Sequence, residues 1–66
     1  MRKLTYLITE EGEQSQNIYS LEFITDRTPK WTEEQYLRHR SNTKMELISD
    51  EETEEKEPIS REIELG

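Results

Sequence analysis

The sequence predicts a small α+β domain of β-β-α-β order: an antiparallel hairpin, one short helix, a third strand, and a C-terminal segment that is a fourth strand or a tail. Three observations predict it. Residues 4–9 and 18–25 alternate apolar and polar side chains as half-buried strands do. The stretch after Pro29 carries helix-start signals, and residues 44–49 alternate again. One helix packed on one face of an antiparallel sheet is the architecture such an order supports.

In the first run Leu4, Tyr6 and Ile8 share a face. Residues 10–17 are polar, contain Gly12 and read as a hairpin loop. In the second run Tyr19, Leu21 and Phe23 share a face, with Ser20 and Glu22 on the other. Pro29 then breaks the strand, because it lacks an amide proton and biases Thr28 away from helix. Thr32 and Gln35 have the spacing of a capping box, and Trp31 and Tyr36 that of a hydrophobic staple. Glu33 and Glu34 would sit in the first turn and Arg38, His39 and Arg40 near the other end, as the helix dipole favours. These signals predict a helix over about 33–41; the alternative starts at Pro29 with Thr28 as cap. Asn42 suits the termination that follows.

In residues 44–49, Met45 and Leu47 face inward. Residues 50–58 contain no apolar side chain and read as an acidic, solvated linker. In 59–66, Ile59, Ile63 and Leu65 lie on one side, as in an edge strand or a strand awaiting a partner. The chain thus divides into a core at 1–49, a linker at 50–58 and a final strand or tail at 59–66. The expected shared core is Tyr6, Ile8, Leu21, Phe23, Trp31, Leu37 and Leu47.

Composition bounds function. Sixty-six residues with 19 hydrophobic side chains, five of them aromatic, form one small core with little room for a catalytic pocket. Without Cys there is no disulfide framework or thiolate metal site, and two Gly leave no glycine-rich phosphate loop. No stretch approaches the roughly 18–20 apolar residues of a membrane span, and no apolar leader follows Met1. A cytoplasmic protein without membrane contact is the expectation. His39, the single histidine, lies between two arginines with no nucleophile or orienting carboxylate at a recognisable spacing, so no enzyme is predicted. The acidic stretch lacks the alternation and central Gly of a calcium loop, and no cofactor or metal is expected.

Charge carries the functional reading. Residues 1–49 hold seven basic and eight acidic side chains, net −1, whereas 50–66 hold two and eight, net −6. Closely spaced carboxylates can imitate the charge of a phosphate backbone and occupy the basic groove of a larger nucleic-acid-handling protein. In that reading Glu51, Glu52, Glu54, Glu55 and Glu57 make the contacts, and Ile59, Ile63 and Leu65 add strand pairing. A tiny, acidic, cysteine-free chain of this kind resembles in style the phage or mobile-element proteins that inhibit host machinery, with no motif that identifies a family. The alternative is a small nucleic-acid-binding module using Arg38, Arg40 and Lys44, with Trp31 and Tyr36 as stacking residues. A net charge of −7 opposes that. A third reading is a homodimeric structural or assembly subunit.

Overall fold

The computed structural model describes residues 1–63. The elements run β1 (Arg2–Glu11), β2 (Gln16–Thr25), α1 (Pro29–Leu37), β3 (Thr43–Glu52) and β4 (Ile59–Ile63). The strands form one antiparallel sheet in the order β3-β1-β2-β4. The domain is a small α+β fold, and its fourth strand is present. Leu65 lies outside the described residues.

The hairpin strands extend beyond their expected limits, so the connecting loop shrinks to residues 12–15. The Gly12 amide donates to the Ser15 carbonyl at 2.8 Å, and a Cβ at Gly12 would meet that oxygen at 3.0 Å. Leu4, Tyr6 and Ile8 face Phe23, Leu21 and Tyr19 across the ladder, and α1 packs on that side. The Tyr6 ring lies edge-on to Phe23 at 5.9 Å, and Phe23 lies edge-on to Tyr36 at 5.9 Å. The Tyr6 hydroxyl donates to Pro29 O at 3.2 Å and Glu33 Oε2 at 3.0 Å, fixing the helix over the sheet.

The helix starts four residues before the capping-box position. Thr28 is the N-cap, with φ −74° and ψ 158°, and its Oγ1 accepts from the Trp31 amide at 3.1 Å. The reason is Pro29. A proline holds the preceding residue extended, which is the conformation an N-cap needs, and its missing amide costs nothing at the first helical position. Thr32 is instead buried inside the helix, its hydroxyl donating to Thr28 O at 3.0 Å. The helix ends at Leu37, so Arg38, His39 and Arg40 lie beyond it. Replacing Thr28 with Ala should destabilise the domain by about 0.5–2 kcal/mol in a urea titration. Gln35→Ala should cost much less, because Gln35 is exposed and closes no capping box.

The core differs from expectation at its rim. Leu4, Tyr6, Ile8, Leu21 and Ile24 are buried, whereas Trp31 is 42% and Leu47 40% exposed, and Leu37 is half-buried. A nine-residue helix spans about 13–14 Å. Strands of ten residues run about 33 Å, so the helix covers only part of the sheet. Leu47 on the edge strand β3 and Trp31 on the helix flank are left at the margin.

Burial pushes the Tyr6 and Tyr19 phenols above their ordinary value of 10.0, and the carboxylates they donate to, Glu33 and Glu10, push them further. A group that holds its proton more firmly when folded supports the fold below its unfolded pKa and loses that support as pH rises. Stability should therefore decline above pH 10, and Tyr6→Phe and Tyr19→Phe should each blunt the decline when urea midpoints are compared across that range.

Candidate partner-binding surface

The face of the sheet turned away from α1 is built from Lys3, Thr5 and Leu7 opposite Ile24, Glu22 and Ser20, with Ile59, Arg61 and Ile63 beyond them on β4. Strand alternation places the two isoleucines of β4 here, on the side opposite the helix. Thr5, Ser20, Glu22 and Ile24 are all buried on this face. Glu22, which alternation alone would leave in solvent, is 8% exposed and is neutralised from two sides.

An ion ladder crosses all four strands. Glu51 Oε2 on β3 lies 3.6 Å from Lys3 Nζ on β1, and Lys3 Nζ lies 4.0 Å from Glu22 Oε1 on β2. Glu22 pairs with Arg61 Nε on β4, and Arg61 Nη2 lies 3.5 Å from Glu55 Oε1 in the crossover. The hydrogen bond that Arg61 donates to the Glu22 carboxylate raises the Arg61 pKa further, so the guanidinium stays charged. The register makes this possible: Lys3 is opposite Glu51, and Arg61 opposite Glu22. Cross-strand opposite charges are a unit of sheet stabilisation, and a buried carboxylate without them would be strongly unfavourable.

The acidic stretch is consequently built into the sheet. β3 continues to Glu52, three residues past the expected end of the strand, and residues 53–58 cross from one edge of the sheet to the other. Asp50 lies 3.5 Å from Arg2 Nε, and the Thr53 amide donates to Met1 O at 2.9 Å. Of the carboxylates singled out for partner contact, Glu51 and Glu55 are engaged in the ladder. Glu52 is 88% exposed on its side chain, with the chain's amino group 4.0 Å away. Glu54 and Glu57 are exposed and, among the described residues, form no ion pair. Ile59 and Ile63 belong to the domain's own edge strand, paired opposite Ile24 and Ser20. Of the two roles the sequence left open for 59–66, the described part, 59–63, takes the first.

The basic residues are placed differently. Arg40 folds back on the helix end, donating from Nη1 to Tyr36 O at 2.7 Å with its guanidinium 4.1 Å above the Tyr36 ring. Lys44 lies 3.7 Å from Glu11, and Arg38 is exposed at the helix C-cap. Residues 27–44 nevertheless hold five basic and two acidic side chains, net +3, which leaves −10 for the remainder. The molecule has a positive helix side and a negative sheet end. His39 is exposed in the turn after the helix.

Two features escaped the sequence reading: the ladder, and a cleft along α1 bordered by Phe23, Trp31 and Thr32. The alternation of Lys3, Glu22 and Arg61 with apolar neighbours was a signal for the ladder, but the pairing order of the strands was needed to see it. Among the described residues no cluster of three His, Asp or Glu side chains forms a metal site, and no helix is long and apolar enough to cross a membrane. No protein-family model, curated protein or solved structure matches the chain.

Proposed function

We propose that this chain is a non-enzymatic protein-binding module that inhibits or modulates a larger nucleic-acid-handling protein by occupying its basic surface. The observation that carries the reading is the acidic end of the sheet. Glu51 and Glu52 close β3, and Glu54, Glu55 and Glu57 follow on the crossover, a short segment anchored at Thr53 and Glu55. Anchoring an acidic segment lowers the ordering entropy lost on binding. The internal ion pairs leave Glu52, Glu54 and Glu57 as the strongest outward charges.

Capture from an extract of the source cell, followed by kinetics on the isolated partner, tests this. Association should slow steeply between about 50 and 200 mM salt, since surface attraction is screened over roughly 10 Å at 0.1 M. Changing Glu52, Glu54 and Glu57 together to Gln should slow association without lowering the urea midpoint. Adding Glu51→Gln and Glu55→Gln should lower the midpoint as well, because both carboxylates belong to the ladder. An isolated partner that binds the triple variant at the same rate and salt slope would sink the acidic-surface reading. A chain that retards oligonucleotides by itself would favour the Arg38, Arg40 and Lys44 alternative, and a doubled mass in solution the homodimer.

A further inference from the structure

The helix covers the sheet unevenly, and the uncovered part is an aromatic cleft. One lobe, of about 250 Å³, lies between Trp31 and Thr32 on α1 and Phe23, Ile24, Pro58 and Ile59 at the sheet end. A second, of about 270 Å³, shares Phe23, Trp31 and Thr32 and continues to Gln35, Tyr36 and Arg40. The two lobes form one open trough along the flank of the helix. Trp31, 42% exposed, borders it as a large apolar side chain in contact with water.

A cation stands over each of two aromatic rings that line the trough. Arg27 sits 5.1 Å above the Trp31 ring, and Arg40 sits 4.1 Å above the Tyr36 ring. Arg27 has its neighbour Asp26 at 3.7 Å, with both side chains largely exposed, an arrangement that contributes little. Among the described residues Arg40 has no carboxylate partner; its guanidinium donates to a backbone oxygen. Both guanidiniums keep donors available, and this side of the molecule is the positive one. Trp31 and Tyr36 are five positions apart on the helix, about 7.5 Å along its axis. That distance holds two residues of an extended chain at about 3.3 Å each.

We propose that this trough binds an extended peptide segment of a partner protein in which two large apolar residues are flanked on each side by carboxylates. The apolar pair fills the two lobes against Phe23, Trp31 and Tyr36. The flanking carboxylates meet Arg27 beside Trp31 on one side and Arg40 beside Tyr36 on the other. Charge complementarity selects the acidic flanks, and the length between the two cations selects the pair. The trough adjoins the acidic crossover at Pro58, but its proposed contacts lie on the helix side and do not rest on the acidic-surface reading; a chain using both would join a basic partner to an acidic one.

Trp31 is the sole tryptophan, so its emission reports on the trough directly. The probe is an acetylated, amidated hexapeptide with Leu-Phe between two Asp on each side, titrated into the full chain. A saturable blue shift of the emission is expected, with no comparable response to the same peptide carrying Lys in place of Asp. The double variant Arg27→Gln, Arg40→Gln should bind at least about tenfold more weakly, the loss expected for charge-assisted contacts. Arg27→Gln alone, remote from the helix end that Arg40 caps, should still weaken binding severalfold if the double variant does not fold. Equal binding of the Lys peptide would overturn the proposal, as would an emission spectrum unmoved by the Asp peptide. Stronger quenching by an oligothymidylate than by the peptide would overturn it too, and would make the trough a base-stacking surface.

Discussion

Tyr6→Ala should leave no cooperatively folding domain at 25 °C. Tyr6 is the largest fully buried side chain, and it connects three parts of the molecule: its ring meets Phe23 on β2, and its hydroxyl reaches Pro29 O and Glu33 on α1. Truncating a buried aromatic to Ala costs about 3–5 kcal/mol. A domain of 66 residues has about 3–10 kcal/mol in total at typical stability per residue, so the loss is of the same size. Tyr6→Phe keeps the ring and removes the hydroxyl that the Glu33 carboxylate accepts from, a change of about 1.5–3 kcal/mol for a charged partner. It should fold, with a lower urea midpoint. Trp31 emission and far-ultraviolet circular dichroism should lose their cooperative transition together in the Ala variant. A Tyr6→Ala chain that melts near the parent would mean that the helix is not held to the sheet through this residue.

Trp31 invites the opposite expectation from sequence, and the contrast shows what was legible. The two hairpin runs and the face holding Leu4, Tyr6 and Ile8 could be read directly, because a period of two assigns faces without knowing the neighbours. The existence of one helix was legible, but its start was not. Two threonines, Thr28 and Thr32, each had a capping signal, and the competition turned on the backbone restriction that Pro29 imposes. Trp31 then fell on the flank rather than under the helix. Its size suggested core, yet burial depends on how much sheet a nine-residue helix can cover.

The acidic stretch was legible as composition and not as structure. Asp50, Glu51 and Glu52 have low strand propensity, and nothing local predicts that they continue β3. Their strand partners supply the reason: Arg2 and Lys3 lie directly opposite Glu52 and Glu51. The two basic residues at the start of the chain thus draw the acidic run into register, with the bulge between Thr5 and Tyr6 taking up the odd residue, Ile48. Long-range charge pairing of this kind is invisible until the strand order is known, and the same holds for Glu22 and Arg61, 39 positions apart.

Shortening the chain to end at Pro58 should also abolish the fold, although it removes a strand of only five described residues. Ile24 is 1% exposed and Glu22 8%, and both lie on the strand that β4 pairs with. Without β4, Ile24 loses the neighbour Ile59 and Glu22 loses Arg61, while the outer edge of β2 presents unpaired backbone groups to other chains. A small domain buries too little surface to absorb the loss of an edge and a core neighbour together. Ending the chain at Ser49 should be worse, since it also removes Glu51 from Lys3 and Thr53 from Met1. Two substitutions in the full chain separate the contributions. Ile59→Ser removes apolar cover while keeping the ladder, and Arg61→Gln removes one of the ladder's two cations while keeping the strand. The second should lower the melting temperature more at low salt than at high salt, because the parent's charge pairs are themselves weakened by screening. If the chain ending at Pro58 retains slowly exchanging amides along β2, the hairpin and helix are self-sufficient. The stability assigned to β4 would then have to come from the β1–β3 side of the sheet.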